Sequence, residues 1–280
     1  MIKKIAVIGA TGMLGRPVTL ELLSAGFEVT ALVRNEEKAI RKLPAEINLI
    51  HGNIKILQDL EHVFAGQDAA YISLNLRRGE RKKDFHAETD GLKLIIQAAQ
   101  KTKLKRIAFI SSLVMNYQGM NNFNWWVFEM KKEAIRMIKL SGIPYTIFYP
   151  STFMENFEAT YRRGNKLMLA GRSESRMYFI AAHDYGKQVA RSFKILKNGT
   201  NKEYPIQGPE PFTADEGVAE YIKHYRKTQL SVSKAPLGLL KFIGRFSATI
   251  NYGANIVEAL NRYHEKFEAE NTWNELGKPA

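Results

Sequence analysis

Short, largely apolar runs alternate with amphipathic stretches through the first half of the chain. Ile5–Ile8, Glu28–Val33, Ile47–Ile50, Ala69–Ile72, Arg106–Ser111 and Tyr145–Tyr149 are too short for globular helices. They lack the strict polar alternation of a sheet with one wet face, so they predict strands covered on both sides. Between them, Leu14–Ser24, Ile56–Phe64, Asp84–Lys101 and about Trp126–Leu140 carry apolar residues at helical spacing, and Glu36-Glu37 opens a further helix. Strand and helix in repetition predict an α/β fold with a doubly wound parallel sheet. Right-handed crossovers then put the ligand crevice at the carboxyl ends of the strands.

Breaks in the pattern support these limits. Ser141-Gly142-Ile143-Pro144 stops one helix and opens the last strand, which ends at Pro150. Beyond it the regular alternation fades. Phe153–Arg163 and Asp184–Leu196 have helical spacing. Leu167–Ile180, with Gly171 inside it, reads as a hairpin or two short strands. Thr213 with Glu216 three residues on forms a capping box for a helix to about Tyr225 or Lys227. Leu237–Phe267 mixes apolar and basic residues in helices. The expected organisation is a nucleotide-binding core over residues 1–150. A smaller α+β substrate lobe over 151–280 interleaves with it and packs over the mouth of the sheet.

The strand ends carry the candidate chemistry. After the first strand stands Gly9-Ala10-Thr11-Gly12-Met13-Leu14-Gly15. Glycines at a strand-to-helix turn allow close approach of a diphosphate, and the following helix offers free N–H groups and its positive end. Strand before, helix after and a second strand beyond make this a dinucleotide site of the Rossmann type. After the second strand, Arg34 occupies the position where a carboxylate would grip both ribose hydroxyls of NAD. A guanidinium there suits a 2′-phosphate, so NADP(H) is expected in preference to NAD(H). After the third strand, Asn53 with Ile54 faces the adenine. After the fourth, Ser73, Leu74 and Asn75 flank the ribose. After the fifth, Ser111 meets the nicotinamide ribose or the substrate. Tyr117 and Trp126, from an Asn- and aromatic-rich stretch, are candidates to line an apolar pocket. On residues alone, Lys131 reads as a solvent lysine beside Lys132.

Composition adds exclusions. The chain has 280 residues and no cysteine, which removes disulfides, thiolate chemistry and Cys-ligated metals; no metal site is expected. No apolar run is long enough to span a membrane, and the apolar start ends in a glycine turn rather than a cleavage site, so the expected location is cytoplasmic. The net charge is +13, with clusters at Arg77-Arg78 through Lys83, at Lys101 through Arg106, and at Lys131-Lys132. No nucleic-acid motif accompanies them, so they read as solvated faces and nucleic acid is not an expected partner.

The glycine turn, the Val33-Arg34-Asn35 strand end, and Ser141-Gly142-Ile143-Pro144-Tyr145-Thr146 leading into Pro150-Ser151-Thr152-Phe153-Met154-Glu155-Asn156 together resemble the NmrA-like family. Gly208-Pro209-Glu210 and Tyr178-Phe179-Ile180 before His183-Asp184 extend the resemblance to about Tyr225. The family belongs to the atypical short-chain dehydrogenase/reductases, alongside isoflavone-reductase-like enzymes and small NADPH-dependent quinone reductases. The resemblance implies that Lys131 is the active-site lysine. It further implies that Ser111, Tyr149, Pro150 and Ser151 lie near the nicotinamide; Phe153 and Asn156 join Tyr117 and Trp126 as candidates to line the substrate pocket. The superfamily's catalytic tyrosine, four residues before that lysine, is Val127 here. Two functions follow as expectations. One is an NADPH-dependent oxidoreductase acting on an apolar or aromatic acceptor, a quinone or enone. The alternative is a non-catalytic NADP(H) sensor acting through a protein partner.

Overall fold

The computed structural model describes residues 2–280. Its centre is a seven-stranded, wholly parallel sheet. The first strands are β1 (Lys4–Ile8), β2 (Glu28–Val33), β3 (Asn48–His51) and β4 (Ala69–Ile72), with helices α1 (Gly15–Ser24), α2 (Glu36–Ile40) and α3 (Leu57–Phe64) between them. Then come α4 (Leu92–Lys101), β5 (Arg106–Ile110), α5 (Trp126–Leu140) and β6 (Tyr145–Pro150). The strand order is β3-β2-β1-β4-β5-β6, closed at the far edge by a late strand. The direction of winding reverses between β1 and β4, and that reversal opens a crevice at their carboxyl ends.

Both faces of the sheet are covered, as the unbroken apolar runs predict. Ala6 and Ile8 of β1 join Leu60, Ile95, Phe128 and Ile138 on the α3–α4–α5 side. Ile5 and Val7 join Val18 and Leu22 on the opposite side. Each such Ile, Leu, Val or Phe side chain contributes roughly 1.5–3 kcal/mol when fully buried. Arg106, expected in a solvated basic cluster, is instead buried at the base of the sheet. Its guanidinium donates to Tyr145 O (3.2 Å), Thr146 Oγ1 (2.9 Å) and Lys197 O (2.9 Å), tying β5 to β6 and to the chain beyond them.

The second half comprises β7 (Arg162–Arg163), β8 (Lys166–Ala170), β9 (Met177–Tyr178), α6 (Ala182–Ile195), β10 (Lys202–Ile206), β11 (Pro211–Phe212), α7 (Ala214–His224) and β12 (Ser231–Ala235). Three helices follow: α8 (Leu237–Gly244), α9 (Ala248–Arg262) and α10 (Glu270–Leu276). Here the structure departs from expectation in two places. Phe153–Arg163 holds one π-helical turn, Phe157–Tyr161, rather than a continuous helix. Of the two readings of Leu167–Ile180, two short strands is the one found, since β8 pairs with β7 and β12, and β9 with β11. β10, unread in the sequence, is the missing edge strand and pairs in parallel with β6. Pro205 is tolerated there because an edge strand leaves one row of N–H groups unpaired. α6 covers the sheet beside α1, with Tyr185, Val189 and Phe193 in that core. The small sheets and α7 form a separate apolar cluster around Phe157, Leu167, Phe179 and Val218. The capping box at Thr213 and Glu216 is present as read.

Candidate functional site

The glycine turn is built by close packing. Gly9 has φ +92°, and a Cβ there would stand 2.2 Å from Ser73 O. A Cβ on Gly15 would stand 2.0 Å from Gly9 O, and one on Gly12 at 3.2 Å from the same oxygen. The turn closes with Gly12 N donating to Gly9 O at 3.0 Å, and Ser73 N donates to Ile8 O at 2.9 Å. Backbone is therefore packed on backbone where β1, α1 and the β4 exit meet. The first turn of α1 carries no acidic side chain and no side-chain cap. The amides of Met13 and Leu14 have no protein acceptor among the described residues. That is a cradle for an anion, with free N–H donors at a helix start and nothing negative competing.

Gly12, Met13 and Leu14 form one end of a cleft of about 830 Å³, in the upper part of the range of about 300–1,000 Å³ usual for small-molecule sites. Ser73, Leu74 and Asn75 continue its floor from β4, Ser111 from β5, and Pro150 and Ser151 from β6. Phe153 and Asn156 lie on it too. The second half of the chain completes the lining through Tyr161, Met168, Ala214 and residues of α8 and α9.

Lys131 enters the cleft from α5. Its ammonium donates to Glu88 Oε1 at 2.7 Å and to Asn75 Oδ1 at 3.4 Å. Glu88 sits on a π-helical turn, Ala87–Gly91, that precedes α4. Its side chain is fully buried, and its second oxygen has no partner. Burial alone would pull the Lys131 pKa down, but the Glu88 carboxylate outweighs it and the net shift is upward. Lys131 is thus a firmly charged donor rather than a proton source near neutral pH. Val127 lines the cleft one helical turn before it.

Other sequence candidates fall elsewhere. Gly9, Thr11 and Gly15 shape the turn from behind and do not line the cleft. Arg34 follows β2 and is exposed, with no ion pair among the described residues. Since Ile8 pairs in register with Leu32, Arg34 stands level with Ala10 of the glycine turn. Arg16 and Lys42 flank the same corner, bonded to Lys42 O (2.7 Å) and Thr11 O (3.4 Å). Asn53 and Ile54 are off the cleft. The Asn53 side-chain oxygen accepts from Lys55 N at 3.1 Å, and Ile54 packs toward Gly91. Tyr149 points away, its hydroxyl donating to Glu203 Oε2 at 2.6 Å. Burial and that carboxylate hold its pKa far up. Tyr117 is buried against Phe123 in the main core, because the Asn-rich stretch folds into a 3-10 turn that turns its ring inward. Trp126 packs on His86 (5.2 Å between ring centres) and is absent from the cleft, where Trp125 takes a place instead.

Two titratable groups in the cleft carry no signal in the sequence. Tyr252 of α9 stands beside Lys131 and packs on Trp125, with ring centres 5.1 Å apart. Burial raises its pKa. Glu265 lies on an extended strap between α9 and α10. Ser151 Oγ donates to its Oε2 at 2.7 Å, and Gln207 Nε2 to its Oε1 at 2.7 Å. Burial raises its pKa despite both hydrogen bonds. No local motif marks either residue. Both reach the site by tertiary folding alone.

Residues 9–182 match the sequence profile of the family described as NAD(P)H-binding. The photosystem II assembly factor Ycf39 of Trieres chinensis is 27% identical over 274 residues, which span 96% of this chain and 83% of that protein. Among solved structures, an NADPH-dependent quinone oxidoreductase of Escherichia coli, complexed with NADPH, superposes with a TM-score of 0.74 at 20% identity. It covers 98% of this chain and 95% of that one. The triphenylmethane reductase of Citrobacter sp., complexed with NADP(H), gives 0.73 at 19% identity, covering 99% and 96%. At these identities the likeness is one of fold.

Proposed function

Because the chain belongs to the NAD(P)H-binding family, in agreement with the NmrA-like resemblance of its motifs, we propose that it is an NADP(H)-dependent reductase of a flat, conjugated acceptor such as a quinone or enone. The observation that carries this reading is the glycine cradle with free amides at one end of a cleft that also holds Lys131 and the carboxyl group of Glu265. When bound, the nicotinamide supplies a hydride to the acceptor.

The chain's own residues have separate tasks in this reading. The Met13 and Leu14 amides hold the diphosphate. Arg34 grips the 2′-phosphate, which makes NADP(H) the preferred form. Lys131, with Asn75, donates to the nicotinamide-side ribose and fixes the ring. The apolar wall of Phe153, Met168 and Ile250 excludes water and holds a planar acceptor against it. The proton that completes the reduction comes from Glu265. Tyr252 is the weaker source, because burial raises the pKa of its phenol and the Glu88 carboxylate offsets part of the lowering by Lys131.

A second reading has its own support. Val127 stands where the superfamily's proton-donating phenol is expected, and relatives covering most of the chain carry an assembly-factor name. In that reading the protein binds NADP(H), does not turn it over, and acts through a protein partner. The discriminating experiment is calorimetric titration with NADPH followed by NADPH oxidation with a water-soluble benzoquinone. Binding with acceptor-dependent oxidation supports the reductase. Binding with none across a panel of quinones and enones favours the sensor. No heat with NADPH or NADH removes both.

A further inference from the structure

α8 has the composition of a core helix, Leu-Gly-Leu-Leu-Lys-Phe-Ile-Gly, yet turns most of its apolar surface outward. At about 100° per residue, Leu239, Phe242, Ile243 and, just past its end, Phe246 fall on one arc of the helix. All four are exposed, Phe242 at 58% and Phe246 at 82%. The opposite side is seated: Leu240 lines the cleft, and Gly244 packs on Asn251. A stripe of this kind, two of its members aromatic, marks an interaction surface.

The neighbouring loop decides what covers it. Arg77-Arg78-Gly79-Glu80-Arg81-Lys82-Lys83 carries five cations and one carboxylate, and that carboxylate is engaged with His86 at 3.1 Å. Arg81 and Arg245 border the same crevice as Phe246. A Cβ on Gly79 would lie 3.6 Å from Thr249 Oγ1 of α9. The cationic loop and the apolar stripe therefore share an edge. Two copies of this face would bring like charges together, in a chain whose net charge is +13.

We propose that this face docks the protein on an anionic lipid surface, with the α8 stripe entering the acyl boundary and the basic loop meeting the headgroup phosphates. Among the described residues no helix is long and apolar enough to cross a membrane, so the attachment is peripheral. This inference goes beyond the reductase reading and does not depend on it.

The test is co-sedimentation of the full chain with vesicles of phosphatidylcholine alone and of phosphatidylcholine mixed with phosphatidylglycerol. Binding is expected to the mixed vesicles only, and to be released by salt. F242S/F246S should weaken it by about tenfold or more, and R81A/K82A/K83A should weaken it and flatten its salt dependence. The second variant disturbs no apolar contact, so it stands as a separate arm if the first does not fold. Wild-type protein left in the supernatant, equal binding to neutral vesicles, or unchanged binding by both variants would overturn the proposal. A dimer in sedimentation velocity that F242S/F246S dissociates, with no vesicle binding, would overturn it in favour of self-association. Calorimetry with NADPH on the same preparations separates the two readings: cofactor binding without vesicle binding sinks only this one.

Discussion

The proposed preference for NADP(H) rests on one side chain, and its contribution can be worked out beforehand. Arg34 is exposed and unpaired, level with the glycine turn. A guanidinium donating to a phosphate contributes about 1.5–3 kcal/mol, and exposure puts Arg34 at the lower end. At about 1.4 kcal/mol per decade, Arg34→Ala should weaken NADPH binding roughly tenfold. Arg34→Asp adds repulsion. A carboxylate about 5 Å from a doubly charged phosphate costs about 1.7 kcal/mol at a dielectric constant of about 80. The charge swap should therefore cost roughly two hundredfold in all. NADH, without the 2′-phosphate, should lose less than about twofold. Arg16 Nε donates to Lys42 O and Lys42 Nζ to Thr11 O, and these contacts hold both side chains at the neighbouring corner. Calorimetry with both cofactors gives the ratio directly, and raised salt should shrink the Arg34→Asp penalty. An equal loss for NADPH and NADH, or none for NADPH, would refute the assignment.

Three further outcomes follow from the geometry. Lys131→Met strands the buried Glu88 carboxylate and should cost about 3–5 kcal/mol in urea denaturation, while adding Glu88→Gln should recover most of it; strictly additive losses would show that the pair is not coupled. In the proposed reaction Glu265 gives up its proton only when neutral, and burial extends its neutral range above that of a free glutamate, so turnover should fall as pH rises through its raised pKa. Glu265→Gln should lose activity and that pH dependence but keep NADPH affinity, and an unchanged profile would remove Glu265 from the reaction. Gly15→Ala drives a methyl to 2.0 Å from Gly9 O and should lower stability by about 1–3 kcal/mol together with cofactor affinity; a wild-type melting temperature would contradict the packing described.

The sheet from β1 to β6 was readable because its strands are buried on both faces, and such runs advertise themselves in sequence. β10 was not, since Lys202, Glu203 and Pro205 are what an edge strand tolerates and a central strand does not. The π-helical turn carrying Glu88 hid inside a helix-like pattern from Asp84 to Lys101. On the cleft, the residues that follow strands could be named beforehand, since chain direction alone delivers them to one edge. Tyr149 was misjudged by one step of alternation along β6, which turns its ring to the other face. Tyr252 and Glu265 arrive from more than a hundred residues past Lys131. No spacing rule connects positions joined only by the return of α9 and the strap.

That strap has an optical consequence. Gln207 holds it at three points, donating to Glu265 and Lys266 O and accepting from Glu268 N. The indole of Trp273 donates to the backbone oxygen of the same glutamine at 3.2 Å and packs on Phe267. The other two tryptophans, Trp125 and Trp126, lie together at the start of α5. With both replaced by phenylalanine, the remaining indole becomes a single native emitter two bonds removed from the carboxyl group. Its wavelength and quenching then follow the seating of that segment as NADPH is added, with no label attached.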